Sequence, residues 1–227
     1  MPSPSELLPC VEIEPAGEAQ RAVIWMHGLG ADGHDFEPIV PELGLDPALA
    51  ARFVFPHAPV ISVTVNAGMQ MRAWYDILGM DIEDRCDEAG VLRSSEQVRA
   101  LIARERERGI PPERILLAGF SQGGAIAIHT ALRYPERLAG LVALSTYMLR
   151  AGTLDGEASP ANEGLTVFQC HGELDPIVPL QAGIDCRDRL RERGHPVEWS
   201  SWPMQHQVCM EEIRDLGRWM NATLAAE

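Results

Sequence analysis

Gly119-Phe120-Ser121-Gln122-Gly123 places a serine between two glycines in a G-x-S-x-G pattern. Such a serine can attack a carbonyl carbon once a base removes its proton and a carboxylate orients that base. The pattern alone recurs by chance, and its context gives it weight. It follows the apolar run Ile115–Ala118 and leads into Gly124-Ala125 and a helical stretch. This is the strand, sharp turn and helix that present a nucleophilic serine. The helix N-terminus directs its free N–H groups at the oxygen where negative charge develops.

The base and the carboxylate should lie downstream, acid before histidine. After residue 129 the histidines are His171, His195 and His206. His206 follows the expected strand Val197–Ser201, and His171 closes the expected strand Leu165–Cys170. His195, in Gly194-His195-Pro196, reads as turn chemistry. Asp175 in HGELDPIVP is preferred over Glu173 as the acid. Ser121, Asp175 and His206 each sit at the carboxyl end of a strand, where catalytic groups gather in parallel sheets. A second glycine-rich loop, His27-Gly28-Leu29-Gly30, follows an early strand, where one of two backbone donors to an oxyanion belongs; Gln122 would supply the other. His27 is expected to orient that loop by hydrogen bonding. A phosphate-cradling role is disfavoured by the missing third glycine, ribose-binding acid and lysine.

The elements that must hold these residues alternate strand and helix. Strands are expected at Arg21–His27, Arg52–Phe55, Ile115–Ala118, Leu138–Ser145, Leu165–Cys170 and Val197–Ser201. Helices are expected from a Ser94 or Ser95 cap to Arg108, from Gln122 to Tyr134, from Pro179 to Arg193 and from Val208 to Leu224. This rhythm predicts an α/β fold, a mostly parallel sheet with helices on both faces. The Arg/Glu alternation at Arg104–Arg108 reads as a solvated helix face. Between Pro56 and Ser94 no helix or central strand is evident. The apolar residues there, Met69, Met71, Trp74, Tyr75, Ile77, Leu78 and Met80, predict a binding loop or lid.

The composition sets limits. Of 227 residues, 46% are apolar and 23% charged, as in ordinary globular chains. All 19 bases are arginine, against 33 acids, for a net charge of −14. Without lysine there is no Schiff base and no P-loop lysine. The negative charge disfavours nucleic acid and anionic membranes as partners. Five cysteines lack any Cys-x-x-Cys spacing, which fits free thiols in a reducing compartment. The N-terminal residues do not read as a secretory signal, and no run of ~18 apolar residues appears. A cytoplasmic protein without integral membrane association is expected.

Taken together, HGLGADGHDF, FPHAP, MRAWYDI, LAGFSQGG, HGELDPIVP and SWPMQHQVCMEEI resemble, in order and spacing, the bacterial carboxylesterase, acyl-protein thioesterase and lysophospholipase family of the α/β-hydrolase fold. The resemblance runs from about Arg21 to Met220. It implies Ser121 as nucleophile, Asp175 as acid, His206 as base, and Leu29 and Gln122 as oxyanion donors. It also implies that Met71, Trp74, Leu78, Phe120 and Ile177 line substrate. The family usually has Gly-His-Ser around the base, where this chain has Gln205-His206-Gln207. The expected activity is cleavage of short- to medium-chain carboxylic esters through an acyl-enzyme, with no metal or cofactor. The alternative is a thioesterase or lysophospholipase taking long chains. A non-catalytic binding protein on the same scaffold has only the two glutamines in its favour. One domain, 1–227, is expected, because the four motifs must converge on one site. Residues 57–93 form its only long insertion, leaving no room for a separate cap. The apolar stretch could equally serve a homodimer.

Overall fold

The computed structural model describes residues 7–79 and 87–226. In chain order the strands and helices are β1 (Cys10–Ile13), β2 (Arg21–Met26), β3 (Ala51–Pro56), β4 (Val60–Val63), β5 (Met69–Arg72), α1 (Glu88–Glu107), β6 (Ile115–Phe120), α2 (Gln122–Arg133), β7 (Gly140–Leu144), α3 (Leu154–Glu157), β8 (Val167–Gly172), α4 (Leu180–Glu192), β9 (Val197–Trp202) and α5 (Met210–Ala225). Seven strands form one sheet in the order β1-β3-β2-β6-β7-β8-β9. All pairs are parallel except β1 with β3. The edge strand β1 (CVEI), only four residues long and partly buried, is too short for its sequence to announce it.

Both faces of the sheet are covered, and residue alternation along the strands explains how. Ile24 and Met26 of β2 join Val98, Leu101 and Ile102 of α1, Ile128 of α2 and Leu190 of α4 in one core. Val23 and Trp25 point the other way, into a second core with Ile213, Leu216, Trp219 and Met220 of α5. The period of two in a strand thus feeds two separate cores. Gly217 is obligatory on the second face, because a Cβ there would collide with the Leu43 backbone carbonyl.

The first predicted helix begins earlier than expected. Its cap is Asp87, whose carboxylate accepts the Gly90 N–H at 2.9 Å. Ser94 and Ser95 are buried within α1 instead. Ser94 Oγ donates to the Trp74 carbonyl, and Ser95 Oγ accepts from Thr130 Oγ1 at 3.0 Å. The Arg/Glu alternation is not wholly solvated either. Glu105 is buried and ion-paired with Arg52, Arg104 and Arg108. The long stretch after β3 contains the β4-β5 hairpin, which stands apart from the main sheet. Met80 lies outside the described residues.

Candidate active site

Ser121 stands between the end of β6 and the start of α2 at φ 55°, ψ −122°, a left-handed backbone that an L-residue enters only under strain. The turn is held by the Ser121 N–H donating to Leu144 O (2.9 Å) and by Thr146 Oγ1 donating to Ser121 O (2.6 Å). Its tightness requires the glycines: a Cβ on Gly119 would lie 2.5 Å from the Gly123 carbonyl, and one on Gly123 would enter the Met26 and His27 carbonyls. The local sequence therefore permits close approach of β6, α2 and the end of β2.

His206, in the loop between β9 and α5, reaches Ser121 Oγ with Nε2 at 2.9 Å. Its Nδ1 meets Asp175 Oδ2 at 2.6 Å. Asp175 follows β8, and its other oxygen accepts the N–H groups of Ile177 (2.8 Å) and Val178 (2.9 Å). These bonds fix the carboxylate, so Nδ1 carries the proton and Nε2 presents a lone pair to the serine. Phe120 flanks the imidazole with ring centroids 4.7 Å apart. Gly172 allows the base loop to close over β8, because a Cβ there would collide with the Gln205 carbonyl.

The rival residues are elsewhere engaged. Glu173 accepts from Ser201 Oγ at 3.0 Å. His171 is buried, with Nε2 donating to Val178 O at 2.9 Å, and burial lowers its pKa and keeps it neutral. His195 packs its turn, with its N–H donating to Leu190 O and its ring against Leu165 O.

Among the described residues, the Leu29 N–H donates to no group. Gln122 is the first residue of α2, where N–H groups lack intrahelical acceptors. The Gln122 side chain adds a contact that its backbone role did not foretell. Its Oε1 accepts the Trp74 N–H and its Nε2 donates to Tyr75 O, both at 2.8 Å. Trp74 in turn donates its indole N–H to His27 O at 2.9 Å. Trp74 is thereby buried, with its backbone and indole N–H groups both engaged. Met71 is half-buried and accepts from Asn66 through its sulfur, while Leu78 and Ile177 are exposed. His27 orients the loop as expected: Nδ1 donates to Gly28 O at 2.7 Å, and Nε2 accepts the Ala58 N–H at 3.1 Å. Burial drives its pKa down to about 4, so it stays neutral. His57, which the sequence marks only by its place in FPHAP, accepts the Gly33 N–H at Nδ1 (3.0 Å). No group of three or more metal-ligating side chains occurs among the described residues.

A serine on a strained elbow after a central parallel strand, met by a histidine and a carboxylate from the loops after later strands, defines the α/β-hydrolase class. The chain belongs to the phospholipase/carboxylesterase family, whose profile matches residues 9–224, and it is a serine hydrolase. It is 37% identical over 220 residues to acyl-protein thioesterase 1 of Mycosarcoma maydis, covering 90% of this chain and 92% of the relative. It is 39% identical over 201 residues to acyl-protein thioesterase 1 of Neurospora crassa, covering 84% and 82%. Among solved structures, acyl-protein thioesterase 2 of Zea mays superposes with a TM-score of 0.83 at 25% identity, covering 96% of this chain and 99% of that one. SOBER1 of Arabidopsis thaliana superposes with a TM-score of 0.83 at 29% identity, covering 91% and 100%. Among the described residues no helix is long and apolar enough to cross a membrane.

Proposed function

We propose that this chain hydrolyses acyl thioesters and carboxylic esters through an acyl-enzyme on Ser121. The observation that carries the reading is the relay Asp175–His206–Ser121, with heavy-atom distances of 2.6 and 2.9 Å. Ser121 Oγ attacks the acyl carbonyl while His206 Nε2 takes its proton. Asp175 holds the imidazole in the required tautomer and stabilises its charge. The N–H groups of Leu29 and Gln122 receive the oxyanion, the contribution that is usually largest in acyl transfer. His206 then gives its proton to the departing thiolate or alkoxide. Water, activated by the same imidazole, releases the acid.

The names of the relatives favour a thioester leaving group over the short- to medium-chain ester expected from the sequence. Exposed Val60, Val65 and Met69 of the hairpin region, with Leu78, favour acyl chains of some length. A single domain, with 57–93 as its substrate-binding insertion, belongs to the same proposal. So does a cytoplasmic setting, supported by the free thiols of Cys10, Cys170, Cys186 and Cys209.

The test is an acyl series from C4 to C16 presented both as nitrophenyl esters and as thioesters, with Ser121→Ala as control. Higher kcat/KM for thioesters at long chain lengths is expected. A short-ester optimum would return the assignment to a simple carboxylesterase, and an active Ser121→Ala protein would sink the mechanism.

A further inference from the structure

The loop bearing Leu29 is tied down at several points. Its N-terminal part is fixed by the two His27 ring bonds and by Gly30 N–H donating to Arg72 O at 2.8 Å. Its C-terminal part meets a different anchor. The Gly33 N–H donates to His57 Nδ1 at 3.0 Å. Gly33 can come this close because it lacks a Cβ, which would lie 2.5 Å from Phe55 O and 3.2 Å from His57 Cε1. The anchor itself is steady: the His57 N–H donates to Pro9 O at 2.8 Å, next to β1.

This bond dictates a protonation state. An imidazole nitrogen accepts only while it carries no proton, and a protonated imidazole is a donor at both nitrogens. A His57 cation would turn Nδ1–H against the Gly33 N–H, and the bond would be lost. We propose that His57 is a positioning residue of the hydrolysis: neutral, it holds the 28–33 loop and the Leu29 N–H in register, and acid releases them. The proposal rests on Leu29 serving as an oxyanion donor.

The surrounding charges are consistent with this. Partial burial, Arg72 of β5 and the neighbouring His34 disfavour the His57 cation, whereas Asp32 favours it, and the pKa lies below the ordinary histidine value. His27, at the end of β2, stays neutral beside it. The His34 ring lies 5.7 Å from that of His57, and its Nδ1 pairs with Glu37 at 2.7 Å. The loop therefore remains anchored near neutrality and loosens only at lower pH. Because an oxyanion exists only past the ground state, a slack donor loop lowers kcat and leaves KM nearly untouched.

The test compares His57→Phe with His57→Asn, whose Oδ1 stands where Nδ1 stood and accepts without titrating. With nitrophenyl butyrate at pH 8, His57→Phe is expected to lose ~10- to 100-fold in kcat, with KM within about twofold. His57→Asn is expected to restore most of that loss and to make the acid limb of the pH profile shallower. Nitrogen-15 spectra of the unaltered protein should show His57 Nδ1 unprotonated at pH 8, with the Gly33 amide shifting on acidification at the same midpoint. Full kcat in His57→Phe, equal losses in both variants, or a protonated Nδ1 at pH 8 would each overturn the proposal. If His57→Phe does not fold, the nitrogen spectra decide. An active Ser121→Ala enzyme overturns the parent mechanism and this proposal together, whereas an inactive one beside a fully active His57→Phe overturns this proposal alone.

Discussion

Replacing Asp175 by Asn tests the relay where the structure dictates the outcome. One Asp175 oxygen accepts two backbone N–H groups, from Ile177 and Val178, and the other accepts His206 Nδ1–H. An asparagine has one oxygen to offer. Two backbone donors outcompete one ring donor, since each hydrogen bond to the neutral amide oxygen contributes about 0.5–1.5 kcal/mol and turning the amide would set its NH2 against both of them. The oxygen stays on the backbone, and the NH2 faces His206 Nδ1. That nitrogen must then become an acceptor, which moves the ring proton to Nε2 and points it at Ser121 Oγ. The base now presents a proton where it should present a lone pair. Loss of the working tautomer has cost about 10⁴ in kcat in a serine protease with the same constellation, equivalent to about 5.5 kcal/mol at 1.36 kcal/mol per tenfold. A loss of about 10³- to 10⁴-fold is therefore expected for Asp175→Asn. Steady-state hydrolysis of a short nitrophenyl ester at pH 8 measures it, with circular dichroism to verify the fold. A kcat within tenfold of the parent would refute the tautomer argument.

Two further outcomes follow from buried polar groups. Trp74→Phe keeps a ring in place but leaves the His27 carbonyl without its indole donor, a cost of about 1–3 kcal/mol; Tm should fall by several degrees and kcat severalfold, and an unchanged Tm would show that the bond contributes nothing. Glu212, at the start of α5, is buried, and burial raises its pKa to about 8 against the lowering influence of the Cys170 thiol and the Cys209 backbone. Between the unfolded value near 4.5 and about 8 the folded chain retains a proton that the unfolded chain has released, so stability falls as pH rises through that window. Glu212→Gln should remove this slope, leaving the variant the more stable at pH 8 in urea melts and without that advantage below pH 4.5; parallel stability profiles would contradict it.

Much of the fold was legible because its signals are local. The apolar runs in β2, β6, β7 and β8 are buried on both sheet faces, so they needed no alternation to be recognised. Pro179 and Gly194 bracket α4 as punctuation should. The β1 strand was not legible, because a four-residue partly buried edge carries little hydrophobic signal. The start of α1 was misplaced because Ser94 and Ser95 are common capping residues, and only packing reveals that their hydroxyls serve Trp74 and Thr130. Glu105 likewise sits in a charged run, and only the approach of Arg52 from β3 makes it a buried ion-pair centre.

The sequence by itself determined the strand–turn–helix around Ser121, the order of acid and base after it, and the glycines that let the backbone turn. These features are written in residues a few positions apart, and the glycines are demanded by steric exclusion alone. Only the tertiary structure decided which acid meets which histidine, because 31 residues separate Asp175 from His206 and 85 separate Ser121 from His206. It also decided that the Trp74 indole meets the His27 carbonyl, that the Gln122 side chain holds the 74–75 segment, and that His57 meets Gly33. A side chain's partner across the fold depends on how strands register and loops close, and no local pattern of residue types encodes that distance.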